Sequence, residues 1–187
     1  EQPWDGYDYD TLADDLAAVI EATGVTPAVN QIEVHPYLAQ DELRAFDAEH
    51  QIVTEAWSPI AQGVLTGKYK PGQKPPEGSR ATDEKGGSRF IQRFMTDDVL
   101  TRVQQLKPVA DGVGLSLAQL AVAWVLQNPN VASAIIGASR PDQVKENVKA
   151  AGVKLSGDVM RRIDEILGPV VEKDPAKTRQ MAPDKRP

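Results

Sequence analysis

The side chains best able to do chemistry fall in three short stretches, two ending a β-branched apolar run and one following such a run directly. The first is Val29-Asn30-Gln31-Ile32-Glu33-Val34-His35-Pro36-Tyr37. A carboxamide at a strand end donates and accepts hydrogen bonds together, which suits a ligand carrying an amide of its own. Asn30 and Gln31 would serve equally well to tie down neighbouring loops, because buried polar groups are normally satisfied by the protein itself. The second is Glu55-Ala56-Trp57-Ser58-Pro59-Ile60-Ala61-Gln62-Gly63. Its indole can stack on a flat ring or simply fill a core, while Ser58, Gln62 and nearby backbone N–H groups could cradle a diphosphate. Lys68 and Arg80, on either side of Gly72-Gln73-Lys74-Pro75-Pro76, could clamp a phosphate or remain solvated. The third, Gly137-Ala138-Ser139-Arg140-Pro141-Asp142-Gln143-Val144-Lys145-Glu146-Asn147, opens a helix. Unpaired N–H groups at such a start attract anions, and Arg140 adds a full charge. Gln143, Glu146 and Asn147 then share one helical face, a trio suited to an adenine and its ribose, or to solvent alone.

Other reactive types find no partners in the sequence. His35 lies between a strand and Pro36 and reads as structural, and His50 ends a helix, where it would meet the last carbonyls. With two separate histidines and no cysteine, neither a transition-metal site nor a disulfide has support. Tyr7, Tyr9, Tyr37 and Tyr69 are phenols that would need a neighbouring lysine to donate a proton at neutral pH, and the spacing supplies none. No residue is therefore assigned a catalytic role.

The elements that must position these stretches follow from periodicity. Leu12, Leu16, Val19 and Ile20 predict a helix ending at Gly24, after a loop over Trp4 to Asp10. Val29–Val34 predicts a strand, Asp41–His50 a helix, and Ile52–Trp57 a second buried strand. A long irregular segment rich in Gly and Pro then runs from Gly63 to about Met95, a length usual only in functional or mobile loops. Helices are expected at Thr96–Ala110 and Leu117–Gln127, the second capped by Ser116, then a strand at Val131–Ile136 and helices at Pro141–Ala151 and Gly157–Leu167. The Lys/Pro-rich stretch from Gly168 to Pro187 reads as loop or disorder. Alternating strands and helices in this order predict an α/β fold with a parallel sheet, and such sheets bind ligands at the C-terminal ends of their strands.

The chain has 187 residues, 41% hydrophobic and 26% charged, which fits an ordinary globular domain or a piece of one. A net charge of −6 offers no field for a phosphate polymer, which argues against nucleic acid as a partner. No apolar run reaches the length of a membrane span, and the first residues carry no signal pattern, so a cytoplasmic location is expected.

Taken in order, NQIEVHPY, AWSPIAQGVLTGKY and IIGASRPDQVKENV resemble the aldo-keto reductase family over about residues 13–168, and are most similar to the branch that includes potassium-channel β-subunits and bacterial relatives. The resemblance implies NADP(H) as cofactor. It puts Gln31 on the nicotinamide carboxamide, Trp57 on the ring, and Ser58, Ile60 and Gln62 along the diphosphate. Lys68 and Arg80 match the loop that closes over the cofactor, Ser139 and Arg140 the 2′-phosphate site, and Gln143, Glu146 and Asn147 the adenosine contacts.

The family fold is a (β/α)8 TIM barrel, of which about three C-terminal β/α units are recognisable here, and 187 residues fall below the ~200 at the low end for such barrels. The expected layout is one N-terminally incomplete domain, with a loop remnant at 1–10, β/α units over 11–168 and a tail at 169–187. The family's Asp, Tyr, Lys and His tetrad and its Ser-Asn pair have no counterparts in the stretch that matches. Two functions follow as expectations: hydride transfer between NADPH and a small carbonyl substrate in a truncated chain, or a non-catalytic partial barrel that binds NADP(H) or a protein. Open sheet edges would favour a homo-oligomer.

Overall fold

In the computed structural model, residues 12–85, 87–171 and 173 are described. The expected loop at Trp4–Asp10 and nearly all of the expected tail lie outside them. Three strands, β1 (Val29–Glu33), β2 (Val53–Trp57) and β3 (Val131–Ile135), form one parallel sheet in that order. Register pairs Gln31 with Glu55 and Glu33 with Trp57 across the first ladder, and Trp57 with Ile135 across the second. Between and around the strands run α1 (Leu12–Thr23), α2 (Asp41–Glu49), α3 (Gly87–Ile91), α4 (Asp97–Gln105), α5 (Lys107–Gly112), α6 (Leu117–Gln127), α7 (Pro141–Asn147) and α8 (Gly157–Leu167).

Because side chains alternate along a strand, the sheet has two very different faces. Ile32, Thr54 and Ala56 are buried on one, joined by Leu43, Leu120 and Trp124 in the core. On the other, Val29, Val53 and Ile135 remain 46%, 36% and 42% exposed. Fully parallel sheets are normally covered on both faces, so this three-stranded sheet with one open face is consistent with a portion of an α/β barrel, whose interior that face would line.

The buried face is pinned by polar groups as well as packing. Thr54 Oγ1 donates to Asp47 Oδ2 at 2.8 Å and Asn30 Nδ2 to Asp47 Oδ1 at 3.1 Å, fastening α2 to the two strands it spans. Asn30 therefore does the tying that its position allowed. Burial raises the Asp47 carboxyl above its ordinary range, against the pull of the Thr54 and Asn30 hydrogen bonds. Helix α6 begins in a complete capping box, Ser116 with Gln119, and is buried over most of its length because Leu, Ala, Val and Trp occupy every face.

Three expected elements differ in detail. The helix predicted at Thr96–Ala110 breaks into α4 and α5, because Pro108 has no N–H for the Gln104 carbonyl. The helix predicted from Pro141 stops at Asn147, and a 3₁₀ turn, Val148–Ala150, carries the chain on. The irregular segment is built from 3₁₀ turns at Ala61–Thr66, Arg80–Thr82 and Gln92–Phe94, with α3 between the last two. His50 Nδ1 meets the Phe46 carbonyl at 3.0 Å, as its helix-end position predicts.

Candidate functional site

At the C-terminal end of β2 the backbone makes an unusual turn. Ser58, Ala61 and Gln62 all adopt positive φ (57°, 47° and 57°), followed by Gly63 at 101°. For non-glycine residues each such conformation costs on the order of 1–3 kcal/mol, and clusters of them concentrate at ligand sites. The Ile60 carbonyl closes the turn by accepting from Gly63 N at 2.9 Å and Leu65 N at 3.2 Å. Side chains then bridge outward. Gln62 Nε2 donates to Ser58 Oγ at 2.5 Å, and Arg80 Nη1 donates to Gln62 Oε1. A Cβ on Gly63 would stand 3.3 Å from Lys68 Nζ, so the ammonium lies against the same turn. Ser58, Ile60, Gln62, Lys68 and Arg80 thus share one locus, although Arg80 is 22 residues from Ser58 in sequence.

The turn after β3 is organised around one amide. Gln143 Oε1 accepts from Ser139 N at 2.7 Å, from Ser139 Oγ at 3.2 Å and from Arg140 N at 3.2 Å. The Arg140 side chain is left 65% exposed, with an ion pair to the equally exposed Asp142 at 3.3 Å. One turn on, Glu146 pairs with Lys149 at 2.6 Å, and Gln119 of α6 donates to the Glu146 carbonyl at 2.8 Å, bracing α7 from behind. Asn147 is buried. These residues stand on the same edge of the sheet as the Ser58–Gly63 turn, because Ile135 and Trp57 are register partners.

Gln31 and Trp57 lie on the open face by strand parity. Gln31 is exposed and donates to Glu55 Oε2 at 3.2 Å, while Trp57 is half-buried between its register partners Glu33 and Ile135. Two of the described tyrosines were candidate proton donors. Tyr69 is 1% exposed, and Lys68 sits over its ring at 5.1 Å from the centroid, a cation–π contact. Tyr37 stacks on His35 and meets Phe94 edge-on. Among the described residues no cluster of three His, Cys, Asp or Glu is arranged to hold a metal. A shallow groove of about 280 Å³ lined by Lys70, Gly72, Met95 and Leu100 contains none of the candidate residues.

One cluster was not foreseen. Glu33 is buried at the end of β1, takes a hydrogen bond from Arg93 Nη2, and has its second oxygen 3.6 Å from His35 Nε2, beyond hydrogen-bond reach. Burial alone would raise the Glu33 carboxyl, but the His35 and Arg93 groups beside it outweigh that and hold it below its ordinary range. Burial pushes the fully enclosed His35 imidazole down, against the pull of Glu33, and Arg93 pairs with the Glu33 carboxylate. A carboxylate at the end of a strand was the available signal; its partner, 60 residues away, carried none.

Comparison with known proteins agrees with the motifs. A probable voltage-gated potassium channel subunit beta from Arabidopsis thaliana is 40% identical over 148 residues, 76% of this chain and 44% of that protein. The corresponding protein of Oryza sativa is 38% identical over 149 residues, 72% of this chain and 44% of its own length. The chain therefore spans less than half the length of these relatives. The crystal structure of an aldo/keto reductase from Brucella melitensis superposes with a TM-score of 0.56 at 30% identity, covering 82% of this chain and 44% of that one. The profile of the aldo/keto reductase family matches residues 10–168, and the chain belongs to that family.

Proposed function

We propose that this chain carries the NADP(H)-binding portion of an aldo-keto reductase. The observation that carries the reading is the joined Ser58–Gln62–Arg80 relay with Lys68 at a strained strand-end turn, facing the same sheet edge as the Ser139–Arg140–Gln143 turn. These groups fit the cofactor. Two cations and a run of left-handed backbone suit a diphosphate, an exposed guanidinium beside Ser139 suits a 2′-phosphate, and Gln143, Glu146 and Asn147 suit adenosine. Gln31 would hold the nicotinamide carboxamide and Trp57 would cover the ring. When bound, NADPH supplies a hydride to the carbonyl carbon of a small aldehyde or ketone. The chain's own part is to bind and orient: among the described residues the buried Tyr69 hydroxyl has no hydrogen-bond partner, and Lys68 lies over the face of its ring instead. The proton donor and the rest of the tetrad would come from outside the matched stretch. One N-terminally incomplete domain with its β/α units over 11–168 is the layout this implies.

A second reading, a binding module without turnover, is favoured by two observations. The sheet has an open face with Val29, Val53 and Ile135 exposed, and the similar plant proteins are named as channel subunits. Unpaired strands at β1 and β3 would support self-association. Titration of NADPH fluorescence followed by NADPH oxidation with 4-nitrobenzaldehyde separates the two. Binding with turnover supports the reductase and a proton donor outside the matched stretch, binding without turnover supports a binding-only role for this chain, and no binding refutes the cofactor reading. A cytoplasmic setting accords with the cysteine-free composition. Among the described residues no single helix is long and apolar enough to cross a membrane.

A further inference from the structure

The segment between β2 and α4 carries Lys68 and Arg80, yet apart from the short α3 its regular structure is limited to brief 3₁₀ turns, which hold a chain only weakly. Its returning limb is nevertheless fixed. Ile91 and Phe94 are fully buried. Arg93 spans from that limb to Glu33 at the C-terminal end of β1, with its guanidinium also over the Phe94 ring, 4.5 Å from the centroid. Phe94 in turn meets His35 edge-on at 5.3 Å. The effect on the strand is plain from exposure. Val29, Gln31 and Glu33 share the open face by parity, but of the three Glu33 alone is buried, and Arg93 of the returning limb lies against it.

Removing the cation leaves the buried Glu33 carboxylate uncompensated where water reaches it poorly, whereas Arg93, 32% exposed, can still be solvated. Among the described residues Glu33 Oε1 and both His35 ring nitrogens lack hydrogen-bond partners, and His35 Nε2 lies 3.6 Å from Oε1, so Arg93 makes the hydrogen bond that fixes this carboxylate. Glu33 is also the register partner of Trp57, which leads directly into the Ser58–Gly63 turn. The anchor therefore sits on β1, beside the strand that leads into the Ser58–Gly63 turn.

We infer that the Glu33–Arg93 pair is the anchor that holds the 63–95 segment down on the strand ends, making Arg93 a positioning residue that sets how long Lys68 and Arg80 retain the cofactor. The second clause rests on the proposed NADP(H) reading; the first does not, and the experiment keeps them apart. Native-state trypsin cleavage of the ligand-free chain is followed at Arg80 and Arg89 in the segment, with Arg161 and Arg162 on α8 as internal controls. Arg93→Met is expected to raise cleavage at Arg80 and Arg89 about tenfold through local opening, with little change on α8. Arg93→Lys, which restores a cation, is expected to return most of the protection. If Arg93→Met does not fold, the double variant Glu33→Gln/Arg93→Met leaves no buried charge and carries the same test. Unchanged cleavage at Arg80 and Arg89, or equal acceleration on α8, overturns the anchor. In a stopped-flow arm, NADPH dissociation from Arg93→Met should speed about tenfold, again with rescue by Arg93→Lys. Faster cleavage with an unchanged dissociation rate keeps the anchor and refutes the positioning role, whereas a wild-type chain that binds no NADPH refutes the cofactor reading alone.

Discussion

On the proposed reading, replacing Arg140 by alanine isolates the contact to the cofactor's 2′-phosphate. The turn that presents Arg140 is held through main-chain N–H groups, those of Ser139 and Arg140, both donating to Gln143 Oε1. Removing the side chain leaves that cap intact. The intramolecular contact it gives up is an exposed ion pair with Asp142, and exposed pairs contribute almost nothing. The whole effect should therefore fall on the complex. A charge-assisted hydrogen bond contributes about 1.5–3 kcal/mol, and the 65% exposure of Arg140 places this one toward the lower end. Kd for NADPH should rise about tenfold to thirtyfold, since 1.4 kcal/mol is a factor of ten. NADH carries no 2′-phosphate, and its Kd should change less than about twofold on the same scale. Fluorescence titration of both cofactors at low and high salt measures this directly. Wild-type affinity for NADPH should be the more salt-sensitive of the two, and the variant should lose that difference. Equal losses for NADPH and NADH would refute the assignment of Arg140.

Three further outcomes test the scaffold. Thr54→Val removes the fully buried hydroxyl that donates to Asp47 and should cost about 2 kcal/mol, or about 4–8 °C in Tm for a chain of this size; Thr54→Ser should recover much of it, and a Thr54→Val chain as stable as wild type would show that Asp47 needs no second donor. Ser116→Ala should cost about 1 kcal/mol through loss of the α6 cap, and Gln119→Ala should cost more, because Gln119 also holds the Glu146 carbonyl; urea melts followed by tryptophan fluorescence rank the two. Acid titration of stability should show opposed signs at two carboxylates. Glu33, lowered from 4.5, contributes stability above that value that is lost as pH falls through its folded pKa. Asp47, raised from 3.8, contributes stability below that value that is lost as pH rises through its folded pKa. Glu33→Gln should therefore flatten the acid-side loss and Asp47→Asn should steepen it, as urea midpoints across the acid range will report.

The strands and long helices were legible because burial writes itself into periodicity. Ile32, Thr54 and Ala56 sit at alternate positions facing the core, and α6 announces itself by Ser116 three residues before Gln119. Pro108 carried the break between α4 and α5 in plain view, but the apolar positions Val99, Val103, Leu106 and Ala110 run through it in helical phase and masked it. The 61–95 segment was opaque for a different reason. Its pieces are only three to six residues long, too short for any period to repeat. In the candidate site, residue types suggested which groups suit phosphate or amide, but not which of them meet. The Gln62–Arg80 contact and the Glu33–Arg93 pair span 18 and 60 residues, and the positive φ of Ser58, Ala61 and Gln62 leaves no trace in residue types that ordinarily avoid it.

The two ends of the candidate site differ in how much of their support this chain contains. On the proposed reading, the adenosine and phosphate groups meet residues whose neighbours are complete: Gln143 is locked into the β3–α7 turn, Glu146 is braced by α6, and Arg80 is tied through Gln62 to Ser58. The nicotinamide groups would meet Gln31 and Trp57 on the open face, where Gln31 is exposed with a hydrogen bond to Glu55 and Ile135 beside Trp57 is exposed. A side chain fixed by surrounding contacts loses little freedom on binding, whereas one on an open face must be ordered by the ligand itself. Affinity in this chain should therefore reside at the phosphate end. Catalytic geometry needs placement within about half an ångström, and at the nicotinamide end that placement requires whatever covers Val29, Val53 and Ile135. On that reading binding and turnover are physically separable here, and turnover needs the open sheet face covered as well as a proton donor supplied.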